Sequence, residues 1–310
     1  MRISVSESAV SPSQSAPSTV QHTLAGPAVF AGVGLHSGAR VRAAMLPAPA
    51  DSGIVFLRTD VTEDGRVVAH ADHVASTRLS TVLGNASGVT VATVEHLMAA
   101  LWALGVDNAI VELDGPEAPI MDGSSAPFVN LIDRTGRRSQ DILRQAIEVL
   151  QPVEVIDGDR RAALMPASRF EVAVEIAFDS AAIGRQSLDM AVDEAAFRAE
   201  LADCRTFGFL HEVEALRRAG LAQGGSLKNA VVVDGDALLN PEGLRRPDEF
   251  VRHKAVDAIG DLATLGRPLI GRYEGRYAGH AMNNALVRAL LARPETFRLR
   301  PPAMALAEAV

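Results

Sequence analysis

The chain has a single cysteine, Cys204, among 310 residues. One thiol excludes an intrachain disulfide framework and a multi-cysteine metal cage, and it suits a reducing cytosol. If a metal binds, His, Asp and Glu are left as its ligands. Aromatic residues are scarce at 4%, so the interior has to be aliphatic. Positive charge is not in excess: 30 Lys and Arg face 38 Asp and Glu, for a net charge of −8. No basic block offsets that balance, so no nucleic-acid partner is expected. A local Arg/Lys pocket for a small anionic substrate stays open. No stretch approaches the roughly 20 uninterrupted apolar residues of a membrane-spanning helix, so no transmembrane segment is expected. The first twenty residues, MRISVSESAVSPSQSAPSTV, also lack the apolar run of a secretion signal and read as a disordered lead.

What is present is a globular composition, 48% hydrophobic, and enough chain for two domains with a core each. From Gln21, short alternating runs read as strands, among them residues 52–59 and 66–71. A helix spans Thr93 to Gly105, with Thr93 as its N-cap and Val94, Leu97, Met98, Leu101 and Leu104 as its core stripe. A strand (Val106 to Leu113) and a helix from Ser124 or Ser125 to Asp133 follow. The polar break TGRRSQD places a boundary around residues 136–147. The second half restarts with a hairpin turning at Asp157-Gly158, an alternating strand from Phe170 to Phe178, and a short extended or looped insertion, DSAAIGRQSLDM. Each half thus holds several strands and two helices that do not strictly alternate. That is the α+β class. The expected layout is a lead (1–20), an N-terminal domain (21–140), a C-terminal domain (148–298) and a marginally ordered tail (299–310). No sequence-level repeat proves a duplication.

The stretch DEFVRHKAVDAIGDLATLG carries the chemistry. It reads as one helix, with Asp248 as N-cap and Gly266 just past its end. Val251, Ala255, Ala258, Ile259, Leu262 and Leu265 gather on one apolar stripe. On the other side Glu249, His253, Asp257 and Asp261 recur every fourth residue. His253 and Asp257 have the i, i+4 spacing that lets two side chains hold one metal ion. Glu95 and His96, in the first turn of the earlier helix, pair a metal ligand with a carboxylate able to take a proton from water. His280 and His36 add imidazoles in Gly-rich turns. A catalytic zinc needs three protein ligands and an open position. Spacing alone does not say which three of His96, His253, Asp257 and His280 supply them. A metal-dependent hydrolase is as far as the residues themselves lead.

Five separated blocks go further: TVEHLMAALWALGVDNAIVELDGPEAPIMDGSSAPF, RTFGF, GLAQGGSLKNAVVV, GLRRPDEFVRHKAVDAIGDLATLG and GHAMNN, with GVGLHSG before them. In this order and spacing the chain resembles the zinc-dependent UDP-3-O-acyl-N-acetylglucosamine deacetylases of lipid A synthesis, over about residues 21–297. The resemblance implies zinc as cofactor, with His96, His253 and Asp257 as its ligands. It implies Glu95 as general base, His280 as general acid, Asp261 as the brace of that imidazole, and Thr206 as donor to the oxyanion. Lys254 and Phe207 would contact substrate, and the segment Ile183 to Leu188 would help line a passage for an acyl chain. His36, His73 and Thr77 lie in segments that face the site in the family. Two similarly built α+β domains would pack with the active site between them. Cys204 stands where Ser or Ala is common; with no base assigned to it, it is read as structural, as are Trp102 and the methionines. Glu249 lies a turn too early for the site and reads as a solvated or structural carboxylate.

The expected activity is hydrolysis of the acetamide of an acylated UDP-N-acetylglucosamine, by a monomer in the cytoplasm whose partner is this small-molecule substrate. Two rivals are a zinc amidohydrolase for another N-acyl sugar or peptide, and a non-catalytic sugar-nucleotide or lipid-binding protein with a structural metal. Metal analysis followed by an acetate-release assay separates them.

Overall fold

Alternation of apolar and polar side chains dictates the sheets. In Phe170–Ala177 every second residue is buried, the pattern of a strand with one face on a core. The computed structural model describes residues 19–301, so most of the expected lead and tail lies outside the described residues. Strands of the first half pair only with one another. Its main sheet has five strands, in the spatial order Ala28–Val33, Arg40–Pro47, Ala109–Leu113, Ile54–Arg58, Arg66–Val68. The second half builds a seven-stranded sheet. Within it Val153–Asp157, Arg160–Met165, Leu269–Arg276, Phe170–Ala177 and Arg185–Ala191 repeat the order of the first sheet. The strand senses match as well: in each set one pair is parallel and the other three are antiparallel.

The helices keep the same correspondence. In the first half α1 (Glu95–Ala103) precedes the central strand and α2 (Ala126–Thr135) follows it. After a helical turn, α3 (Glu194–Ala196), and an outer helix, α4 (Leu210–Arg218), the second half places α5 (Glu249–Leu262) before its central strand and α6 (His280–Leu291) after it. Each half also inserts a small three-stranded sheet before its first inner helix, at residues 74–91 and 207–238. The architecture is α+β in two similarly built halves. The equivalent helices α1 and α5 pack against each other at the junction. Twelve of the fourteen residues of α5 are therefore buried, its polar stripe included. That stripe faces the other half rather than water.

Several local expectations need correction. Asp248 does not cap α5: its carboxylate accepts from Arg252 Nε at 2.7 Å instead. Thr93 does not cap α1 either. It adopts φ 57°, a region that β-branched residues rarely enter, and its hydroxyl donates to buried Glu117 at 2.8 Å. The segment from Arg185 to Ala191 is not a looped insertion. It is a main-sheet strand in seven-residue register with Phe170–Ala177, and the inserted unit of this half starts at Phe207. In that unit residues 227–229 are a turn, and the strand that follows is Val231–Asp234. Residues 297–300 pair with Ala146–Val149, so the expected tail begins as a strand. Gly105 and Gly266, at φ 66° and 69°, end their helices as read.

Candidate metal centre and catalytic cleft

Three side chains expected as ligands come together where α1 meets α5. His253 and Asp257 project from one face of α5, one turn apart, and His96 enters from the second residue of α1. Asp257 Oδ1 lies 3.2 Å from His253 Nε2 and 3.5 Å from His96 Nε2. The ligand atoms of all three lie within 4.8 Å of one another, and all three residues are buried. His253 Nδ1 is 3.1 Å from the carbonyl of Cys204. Donation to that carbonyl would leave the Nε2 lone pair free for a metal, as outer hydrogen bonds to ligating imidazoles do. Burial lowers the pKa of His96, which favours the neutral ring a metal requires. Burial opposes the charge on Asp257, but His253 and Lys254 overcome it and hold the carboxyl well below its usual range. Two neutral imidazoles and a carboxylate fit a divalent ion, and a three-ligand set leaves a position open.

Beside this cluster a carboxylate and an imidazole face each other. Burial raises the Glu95 carboxyl to about 7. His280 behaves oppositely: burial disfavours its charge, yet Asp261 outweighs that by charge and hydrogen bond and raises the imidazolium to about 9. His280 Nδ1 lies 2.9 Å from Asp261 Oδ2, and its Nε2 faces Glu95 Oε1 at 4.0 Å. Both values are raised and keep their order, so between about 7 and about 9 a carboxylate and an imidazolium stand side by side.

A cavity of about 190 Å³ opens onto these groups, and Thr206, Phe207 and Lys254 line it with them. The inserted sheet of the second half delivers Thr206 and Phe207. Thr206 is held through its backbone, to Gly123 O and from Val231 N at 2.8 Å each. Gly123 permits this approach: a Cβ there would lie 2.1 Å from the carbonyl oxygen of Asn229. Lys254 Nζ donates to Asp257 Oδ2 at 2.8 Å. His36 also lines the cavity, and both its ring nitrogens are buried without a hydrogen-bond partner among the described residues. Asp261 stands behind His280 rather than at the cavity wall.

Not every candidate arrives. Ile183 is buried in the core and does not line the cavity; Phe178, a few residues earlier, does. His73 borders a different cleft, of about 540 Å³, and Thr77 borders neither. Cys204 is fully buried, and desolvation raises its thiol pKa, so it is no nucleophile. Glu249 is structural: it is wholly buried and accepts from the Arg205 side chain at 2.9 Å. Leu79 and Phe178 escaped the sequence reading, as did Thr81, which bonds both Glu95 and Asp261. Leu79, at φ 71°, is the most legible of these only in retrospect, since backbone strain of that kind leaves no trace in composition.

The comparisons agree with this geometry. The family model for UDP-3-O-acyl N-acetylglycosamine deacetylase matches residues 21–292. A UDP-3-O-acyl-N-acetylglucosamine deacetylase of Phenylobacterium zucineum is 67% identical over 291 residues, covering 94% of this chain and 99% of that protein. Proteins of the same name from Myxococcus xanthus and Shewanella frigidimarina are 50% and 46% identical, over 91% and 86% of this chain and 89% and 88% of their own. A metal-ligand cluster, an acid–base pair beside it and a match along nine-tenths of the chain lead to one assignment: the chain belongs to the UDP-3-O-acyl N-acetylglycosamine deacetylase family.

Proposed function

We propose that this protein hydrolyses the acetamide of UDP-3-O-(3-hydroxyacyl)-N-acetylglucosamine to acetate and UDP-3-O-acyl-glucosamine, a step of lipid A synthesis, with zinc at His96, His253 and Asp257. The observation that carries this reading is the buried His/His/Asp cluster with Glu95 and His280 4.0 Å apart beside it. When bound, zinc supplies a more acidic water and polarises the amide carbonyl. Glu95, desolvated and one residue from a ligand, takes the proton of the attacking water. His280, kept cationic by Asp261, delivers a proton to the departing nitrogen, without which an amine is a poor leaving group. Thr206, whose hydroxyl bonds no other described residue, is free to donate to the oxygen that becomes negative. Each proton-transfer group is expected to contribute about 10²–10⁴-fold in rate.

Lys254 and Phe207 meet the substrate at the cavity wall. Phe207 packs edge-on to Phe250, with ring centroids 4.9 Å apart, and 6.3 Å from the His253 ring. Its inserted unit presents the half-buried side chains Leu210, Val213 and Leu216 of α4, a stripe on which a fatty acyl chain would bury apolar surface. Ile183 would act there only from behind this wall. The roles above ask for no second subunit, and a monomer is proposed. A nucleotide-sugar substrate suits the cytoplasm, and no helix among the described residues is long and apolar enough to cross a membrane.

The test separates ligand from base. Glu95→Ala is expected to keep zinc and lose acetate release, whereas His253→Ala loses both, as read by elemental analysis and turnover of UDP-3-O-acyl-GlcNAc. Equal zinc loss in the two variants would sink this division of roles, and zinc-loaded wild-type protein that releases no acetate would sink the activity itself.

A further inference from the structure

Asp261 is more elaborately held than the brace of one imidazole has to be. It is 2% exposed, and its two oxygens have separate partners. Oδ2 accepts from His280 Nδ1 at 2.9 Å and from Asn283 Nδ2 at 2.8 Å. The amide of Asn283 is itself oriented by Tyr273, whose hydroxyl donates to Asn283 Oδ1 at 2.6 Å. Oδ1 accepts from the hydroxyl of Thr81 at 2.5 Å and stands 3.2 Å from the same His280 nitrogen. Thr81 belongs to the first half, 180 residues away in sequence, and is also 2% exposed. Its backbone N–H donates to Glu95 Oε2 at 3.1 Å. One residue therefore touches both carboxylates on which proton transfer depends.

We infer that Thr81 is a positioning residue for the reaction proposed above: its amide and hydroxyl tie the base carboxylate of one half to the acid-bracing carboxylate of the other. The inference rests on that reading of Glu95 and His280. Its physical content lies in the occupancy of Asp261 Oδ1. With the Thr81 hydroxyl in place, His280 takes its shorter bond from Oδ2, and its Nε2 points at Glu95. Without it, Oδ1 is a bare buried acceptor 3.2 Å from the imidazole N–H. The ring's bond then shifts from Oδ2 toward Oδ1, and the proton it carries leaves its aim. The backbone N–H survives any substitution other than proline, so the hydroxyl can be removed by itself.

The experiment compares Thr81→Val, which keeps the branched shape, with Thr81→Ser, which keeps the hydroxyl. Both are zinc-loaded and assayed on UDP-3-O-acyl-GlcNAc beside wild type. Losing a hydrogen bond to a buried charged group is expected to lower kcat by about 10- to 100-fold. KM and bound zinc should stay at wild-type values, and Thr81→Ser should restore most of kcat. A positioning role makes the loss depend on His280, so Thr81→Val should add little to His280→Ala. Wild-type kcat in Thr81→Val overturns the inference, as do a serine variant equally impaired, loss of zinc, or full additivity with His280→Ala. If Thr81→Val does not fold, Thr81→Ala is read against the same outcomes. An inactive wild type would defeat the deacetylase reading; an active wild type with unimpaired Thr81→Val defeats only the inference about Thr81.

Discussion

Gly260→Ala tests what sets the spacing of the metal ligands. Gly260 lies inside α5, three residues after Asp257 and next to Asp261. A Cβ there would stand 2.1 Å from the carbonyl oxygen of Glu95, 2.7 Å from its carbonyl carbon and 2.8 Å from its Cα. All three are backbone atoms of α1, so no rotamer change relieves the overlap. The first distance falls about 1.3 Å short of the 3.4 Å at which ordinary contact begins. The two helices must part by on the order of 1 Å, because close-packed interiors do not absorb such overlap locally. Two energies compete. Alanine favours the helix by about 1 kcal/mol over glycine, while overpacking costs about 1–3 kcal/mol. The expected net loss of stability is therefore small, about 2 kcal/mol at most. Function responds to the displacement instead, and a misplacement of about 1 Å can cost on the order of 10²-fold in rate. His96 follows Glu95 directly, so the same shift separates it from His253 and Asp257. The variant is expected to show a nearly unchanged urea midpoint, weakened zinc binding and at least about 100-fold slower acetate release. Wild-type turnover and zinc content in Gly260→Ala would refute the reasoning.

Two further outcomes follow from charges on α5. Arg205, 2% exposed, pairs with Glu249 (0% exposed) at 2.9 Å and with Glu242 (51% exposed) at 2.8 Å. Glu249→Ala strands a buried guanidinium and should destabilise by about 3–5 kcal/mol, whereas Glu242→Ala, at an exposed partner, should cost far less. Equal urea midpoints for the two would disprove the contrast. The second outcome concerns pH. In the proposed roles Glu95 acts ionised and His280 protonated, so kcat/KM should rise through the Glu95 pKa and fall through that of His280. These lie at about 7 and about 9 without metal, and a bound dication draws both lower. Asp261→Asn removes the charge that raises His280, so the falling limb should move down by about 1–3 units. An unmoved limb would mean that another group sets it.

The proposed ligand pair on α5 was legible because metal binding would impose a spacing, and i, i+4 leaves that spacing in the sequence. Glu249 shares the same stripe and differs only in its partner, Arg205, 44 residues away. No periodicity distinguishes the two kinds of polar residue. The capping expectations failed for a related reason. Thr93 and Asp248 have the side chains of N-caps, but Glu117 and Arg252 engage those side chains first. Thr81 was hidden more thoroughly, in a segment of three-residue strands without helical or alternating pattern, and its importance depends on a contact with Asp261 across the junction. Resemblance proposed the roles that spacing could not. The run DSAAIGRQSLDM read as an extended or looped insertion; in the fold its extended part, from Arg185, pairs in register with Phe170–Ala177.

The duplicated architecture explains why the site has to be shared between the halves. Both sheets have the same strand order, and each is preceded in its final pairing by one inner helix, α1 or α5. Because these helices are equivalent and face each other, neither presents a polar side to water. Glu95, His96, His253, Asp257 and Asp261 are accordingly all buried. Burying so many ionisable groups is tolerable only if they neutralise one another or a cation. The first half alone holds one of the three proposed ligands and the proposed base; the second holds two proposed ligands and the proposed acid. Neither set is complete, so a half folded alone would carry unpaired charge on its inner helix. The burial that makes the pair of helices costly is also what raises the Glu95 carboxyl to about 7, and both effects arise only when α1 and α5 pack together.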